Sequence, residues 1–245
     1  MNLLLVHAKY QFLETIRVPI AVVGTVFFPT ASMLFFVVPF TGEDPVAATY
    51  ATGSMMAFAV MITCLFQYGA GVAEDRGQPW DPYIRTLPAG ALPRFFGRVA
   101  TSFGFIVAAV IPVLLVATFL TEATATPGQI LLGLGALLVG AVPFTLLGLG
   151  IGYAMPMKAA LAVTNIIFFP LAFGGGLLTG PNVLPGFVEV IAPFLPTRGA
   201  VELVWAAIGG FRPQTTSMVM LVVWVVVFGA FAAWAYRRDE GRRFR

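Results

Sequence analysis

Charge is scarce in this chain. Asp, Glu, Lys and Arg together make up 10% of its 245 residues, against about 25% in a soluble globular domain. So few charges cannot cover a water-facing surface of that size, which excludes an ordinary soluble fold. There is one histidine, His7, and one cysteine, Cys64. A single thiol forms no internal disulfide, and one histidine cannot supply H-E-x-x-H, so no metal site is expected. His7 reads as a solvated surface residue and Cys64 as a small buried hydrophobe. The two lysines, Lys9 and Lys158, are followed by Tyr10 and Ala159. No G-x-x-x-x-G-K-[ST] loop is therefore present, and the chain has no P-loop of its own for ATP. G-x-S-x-G is missing too, as is any pair of aspartates within an apolar run. Catalytic residues are not expected, and neither is a nucleic-acid partner.

Apolar residues, by contrast, reach 59%, above the roughly 45–50% of soluble chains. Six windows hold no charged residue and no histidine: 18–40, 49–71, 99–120, 128–154, 159–179 and 215–236. Each is long enough to cross about 30 Å of hydrocarbon at about 1.5 Å per residue. Lipid offers bare backbone no hydrogen bonds, so a span is a helix or part of a closed barrel. Continuous apolar runs, without strict alternation, exclude the barrel. The expectation is an all-α integral membrane protein, a single transmembrane domain over 1–245 with six transmembrane helices.

Residues 1–17 read as an interfacial helix. Leu3, Val6, Tyr10 and Leu13 share one face, while His7, Gln11, Glu14 and Thr15 lie opposite. Lys9, Glu14 and Arg17 interrupt the apolar residues, which argues against a signal peptide. Of the fourteen basic residues, all but Arg198 and Arg212 fall on one side of the six-span layout. The positive-inside rule then places both termini in the cytoplasm, in a multi-pass protein of the cell (cytoplasmic) membrane.

Between the last two windows, residues 180–214 hold Pro181, Pro185, Pro193, Pro196 and Pro213 among apolar pieces too short to cross. Such a segment suits re-entrant or interfacial helices on the outer face. Gly174, Gly175 and Gly176 would loosen the fifth span just before it. The fourth span is rich in glycine. Gly148 and Gly152, one turn apart, allow another helix of the same subunit to approach closely. None of the six windows carries an ionisable residue, which argues against proton coupling. Energy for uphill transport would come from elsewhere.

Residues 72–98, between the second and third spans, form a candidate receiver for that energy. Asp81 suits an N-cap and Pro82 the first helical position, so a short helix is expected over 82–86, stopped by Pro88. Trp80, Tyr83, Ile84 and Leu87 supply an apolar knob, rimmed by Glu74, Asp75, Arg76 and Arg85. Aromatics within a charged rim are the usual anatomy of a docking surface. A plain solvated loop is the other reading of the same composition.

At this loop the sequence resembles the ABC-2-type exporter permeases, in particular their daunorubicin-resistance-like branch. The resemblance rests on Glu74, Asp75, Arg76 and Gly77, on Trp80 and Asp81, on Arg85, Leu87 and Pro88, and on Gly97 and Arg98. The amphipathic start, the six-span layout and the Pro-rich stretch ending Pro193-Phe-Leu-Pro-Thr197 extend it over nearly the whole chain. The contracted opening Glu74-Asp75-Arg76, together with Gln78, Pro79 and Pro82, departs from the family's usual run.

The resemblance implies a half-transporter that pairs with a second copy or a related permease above two separate ABC ATPase subunits. ATP and magnesium would sit on those partners, with no cofactor on this chain. It implies ATPase coupling through Glu74, Asp75, Arg76, Trp80, Asp81, Tyr83, Arg85, Leu87 and Pro88, and export of an amphipathic drug, lipid or lipid-linked glycan. Candidates for the substrate path, on the first, second and fifth spans, are Phe28, Phe35, Phe36, Gln67, Asn165, Phe168, Phe169 and Phe173. Asn165, Phe168, Phe169 and Ala172 have the spacing of one helical face. Two alternatives are a substrate-capturing subunit of an ATP-driven importer and a non-transporting membrane assembly factor.

Overall fold

The computed structural model describes residues 19–79, 92–178, 180–181 and 186–243, with side chains except at 19–25, 92–101 and 241–243. The expected interfacial helix over 1–17 and the knob over 80–88 lie outside the described residues.

Among the described residues all regular structure is helical. Helix α1 begins as Pro19–Ser32, passes through a π-helical turn, Met33–Val37, and ends as Val38–Thr41. Pro39 has no N–H for the carbonyl of Phe35, and the wider turn falls where that bond is missing, with Val38 N–H donating to Met33 O. Helix α2 (Pro45–Tyr68) starts at Asp44, whose carboxylate accepts from the N–H groups of Val46 and Ala47. After a break at Gly69 the chain continues as α3 (Ala70–Gly77). Then come α4 (Leu92–Leu120) and α5 (Pro127–Ala154), the latter opened by a capping box between Thr126 and Gln129. Helix α6 (Met157–Gly174) follows, then α7 (Gly186–Ile191), a 3₁₀ turn (Ala192–Phe194), α8 (Pro196–Gly209) and α9 (Thr215–Arg243).

Among the described residues, five helical stretches are long and apolar enough to span a bilayer: Pro45–Gly77, Ser102–Leu120, Pro127–Ala154, Met157–Gly174 and Thr215–Glu240. The shorter apolar stretch Val26–Thr41 belongs to α1, which is helical from Pro19. Together they form the expected all-α, multi-pass membrane fold. The charge-free windows differ from the helices at their ends because charge cut the windows, whereas caps and glycines end the helices. Thus α2 and α3 carry the second span on to Gly77, and α6 stops at Gly174 instead of running to 179.

Helix α5 is the hub, packed on α2, α8 and α9. Its glycines make this possible on three sides. A Cβ at Gly140 would lie 3.1 Å from the Ala200 Cβ of α8, and one at Gly148 would lie 2.9 Å from the Tyr68 Cβ of α2. A Cβ at Gly150 would strike the Phe231 ring of α9, and one at Gly152 the Tyr68 carbonyl. The Gly148–Gly152 pair thus receives a helix of the same chain. Helices α1 and α4 pack on α2 and on each other, while α6 lies against α2, α3, α5 and α8. Helix α2 is the most enclosed, with 83% of its most apolar window buried. Cys64 on it is a free, buried thiol.

The segment 180–214 holds more than short pieces at a surface. Its helix α8 is 14 residues long and buried along one side from Pro196 to Ile208. Ala200 meets Gly140, half-way along α5, and Ile208 meets Gly133, nearer the start of α5. The amino-terminal end of α8 therefore lies level with the middle of α5, and its other end lies nearer the start of α5. Helix α6 ends close beside it. A Cβ at Gly175 would strike the Thr197 side chain, and Gly176 turns the chain with a left-handed φ of 76°.

Candidate coupling and substrate-path sites

The bundle has two ends. One, the carboxy-terminal end, holds α3, the 155–156 turn and the last residues of α9; the other, the loop end, holds the connections at 42–44, 121–126 and 210–214.

At the carboxy-terminal end Glu74 is exposed, and Asp75 and Arg76 are half-buried. A helix leaves its last carbonyls without intrahelical partners, and Arg76 reaches across to those of α5. Its Nη1 donates to the Gly152 carbonyl at 2.5 Å and to the Met155 carbonyl at 3.2 Å. Its Nη2 donates to Asp239 Oδ1 on α9, a buried carboxylate. The guanidinium also stands 5.7 Å from the centre of the Tyr153 ring, which packs edge-on to Tyr236 of α9. Close approach depends on Gly152, since a Cβ there would lie 2.8 Å from the Val72 Cβ of α3. Arg76 therefore fastens the extension of the second span to two other helices. Trp80, Asp81, Tyr83, Arg85, Leu87 and Pro88 lie outside the described residues. Asp239 was not among the sequence candidates, hidden as one acid in the run Arg237-Arg238-Asp239-Glu240.

The substrate-path candidates fall into two groups. Phe28, Phe35 and Phe36 on α1 are exposed, as are Asn165, Phe169 and Phe173 on α6. Gln67 on α2 is half-buried. Phe168 is buried, its ring centre 5.3 Å from that of Phe58 and 6.0 Å from that of Phe66. The spacing Asn165, Phe168, Phe169, Ala172 does not form one exposed face: Phe168 and Ala172 turn inward, Asn165 and Phe169 outward. The Asn165 amide donates to Leu161 O, one turn back on the same helix, at 2.9 Å.

A third site was not anticipated. Arg198 and Glu202 are enclosed in the bundle, with Nε donating to Oε1 at 2.6 Å. Glu202 also accepts from the Gln214 N–H at 2.8 Å and from the Ser217 hydroxyl at 3.2 Å, so it ties α8 to the start of α9. The Arg198 guanidinium lies 5.0 Å from the centre of the Trp205 ring. Trp205 Nε1 donates to Tyr50 O and Ser54 Oγ, both at 3.0 Å, and the Tyr50 hydroxyl donates to Gly209 O at 2.7 Å. Buried charges persist where partners compensate their desolvation, and Glu202 has three. The six windows carry no Asp, Glu, Lys, Arg or His, yet α8 brings two charged side chains against the middle of the bundle. Arg198 is consequently a buried helix residue and not a loop charge.

The family model for ABC-2 type transporters matches residues 2–208. The chain belongs to the ABC-2 type transporter family. The matched region takes in α1 to α8 nearly complete, including the segment carrying Glu74, Asp75 and Arg76. The chain is also 25% identical over 190 residues, 76% of each chain, to a Bacillus subtilis (strain 168) protein named "Putative transport permease YvfS".

As an ABC-2 permease, the chain is a transmembrane subunit of an ABC transporter, and membership implies association with an ABC ATPase.

Proposed function

We propose that this permease exports an amphipathic substrate, a drug, lipid or lipid-linked glycan, driven by two ABC ATPase subunits beneath a pair of permeases. The pair consists of two copies of this chain or of this chain and a related one. Its termini are cytoplasmic, so α3 and the loop that follows face the ATPases, and ATP and magnesium are bound there and not on this chain. Glu74, Asp75, Arg76, Trp80, Asp81, Tyr83, Arg85, Leu87 and Pro88 receive the stroke.

The observation that carries this reading is the Arg76 clamp. A loop struck by an ATPase transmits force only if its root is fixed to the bundle. Arg76 joins that root to α5 and α9 through two carbonyls and a buried carboxylate. The substrate passes along the exposed phenylalanines of α1 and α6, where Phe28, Phe35, Phe36, Phe169 and Phe173 present apolar surface beside Asn165 and the partly enclosed Gln67. Phe168 supports that wall from behind.

Affinity purification of the tagged chain from gently solubilised native membranes tests the assembly. A P-loop ATPase is expected in stoichiometric amount, together with a second permease. Its reproducible absence from an otherwise intact complex would overturn the reading.

A further inference from the structure

At the loop end a cavity of about 390 Å³ opens between α2, α4, α5 and the end of α8, away from the aromatic faces of α1 and α6. Ligand pockets span about 300–1,000 Å³, so the space admits a hydrocarbon group of drug or lipid-tail size. Thr52 and Met56 of α2, Ala117 of α4, Ala123 of the connection, Leu137 of α5 and Ile208 of α8 line it. It exists because α4 and α5, although consecutive, barely touch. Thr118, Ile130 and Leu134 at its edge are exposed, so it opens sideways on the surface of the bundle. An empty apolar space in contact with hydrocarbon forfeits dispersion contacts on one side, which favours a tail entering it.

The wall and the connections beside it restrict what head that tail can carry. The hydroxyls of Thr49, Thr52 and Thr118 each donate to a carbonyl one turn back on their own helix. Their protons are committed, and the Thr49 hydroxyl also accepts from the Thr124 N–H at 3.0 Å, so these three hydroxyls offer no donors for a phosphate, sulfate or carboxylate. Next in the chain to Ala123 and Thr124, which line the cavity, the Glu122 N–H donates to Gly42 O at 2.8 Å and joins two connections that carry Glu43, Asp44 and Glu122. Asp44 is partly occupied in capping α2; Glu43 and Glu122 are exposed. The connection at 210–214 adds one cation, Arg212. The connections beside the cavity are acidic on balance.

We propose that this cavity binds the hydrocarbon tail of an amphiphile whose positively charged head rests among the carboxylates of those connections. The site does not depend on the direction of transport, and it is read without ATP.

The test uses the full chain, with the subunits that accompany it, in nanodiscs of neutral lipid. The probe is a diazirine-bearing dodecyltrimethylammonium, compared with a dodecyl sulfonate bearing the same diazirine. Adducts mapped by mass spectrometry are expected on 114–118 and 130–137, and more strongly with the ammonium head. Ala123→Phe fills the space from the connection and should weaken labelling about tenfold, the scale of discrimination in an apolar pocket. Glu43→Gln with Glu122→Gln should weaken it about two- to fivefold, the range of surface charge pairs, while labelling by the sulfonate does not fall. Adducts spread evenly over the exposed faces of α1 and α6 would overturn the proposal. So would wild-type labelling of folded Ala123→Phe, or equal labelling by the two heads. Should Ala123→Phe fail to fold, the adduct map of the unaltered chain decides alone.

Discussion

Arg198 and Glu202 stand one turn apart on α8, joined at 2.6 Å and enclosed on every side. Removing one partner leaves the other a buried charge without its counter-charge. Glu202→Gln or Arg198→Met alone should each cost about 3–5 kcal/mol of stability. The double variant Arg198→Met, Glu202→Leu should cost less than either, because no lone charge remains. Thermal unfolding in a mild detergent would show the order of the three. A double variant less stable than both singles would mean that the pair contributes more than mutual neutralisation.

Gly175 and Gly128 form a contrasting pair. A Cβ at Gly175 meets the Thr197 side chain where α6 approaches α8, whereas nothing lies within 4 Å of one at Gly128. Gly175→Ala is expected to destabilise by about 1–3 kcal/mol, and Gly128→Ala to stay within about 0.5 kcal/mol of the parent. Equal melting temperatures for the two variants would contradict the close α6–α8 contact.

Arg76→Ala should insert normally yet lose most ATP-driven transport, because the root of the coupling loop is no longer fixed. Arg76→Lys should recover little of it, since an ammonium cannot reproduce the guanidinium fork that reaches two carbonyls and a carboxylate. ATPase activity of the assembled complex should persist in both variants. Normal transport by Arg76→Ala at equal abundance would remove the clamp from the coupling path.

Sidedness is open to direct labelling. In a Cys64→Ala background, Glu43→Cys should react with a membrane-impermeant thiol reagent from outside only, and Arg85→Cys from inside only. Labelling of Glu43→Cys from the inside would reverse the proposed orientation.

The helices were legible from the sequence wherever their cause is local. Absence of charge marked the spans; the glycine run at 174–176 was expected only to loosen the fifth span, and the helix in fact ends there, short of 179. The pairing of Gly148 and Gly152 with a close neighbour was equally plain, though not which helix it would be. What sequence could not provide depends on contacts far apart in the chain. Arg76 and Asp239 are 163 positions apart, and Trp205 meets Tyr50 and Ser54 across more than 150. Phe168 and Phe169 are equally apolar, and only the position of α2 decides which of them turns inward. For Arg198 and Glu202 the i, i+4 spacing was visible and short helices suited the segment, but the burial of the pair depends on partners far away in the chain.

The tie between Glu202 and the start of α9 has a consequence for synthesis. Fourteen residues of α8 reach only about 21 Å at about 1.5 Å per residue and carry two charges, which makes α8 a poor candidate for independent insertion. Two of the groups that satisfy Glu202, the Gln214 amide and the Ser217 hydroxyl, are translated after it. The growing chain must therefore hold α8 unassembled until the following helix emerges and docks. Nascent chains stopped short of Thr215 should remain open to proteolysis along α8, while α2 and α5, already paired, resist it.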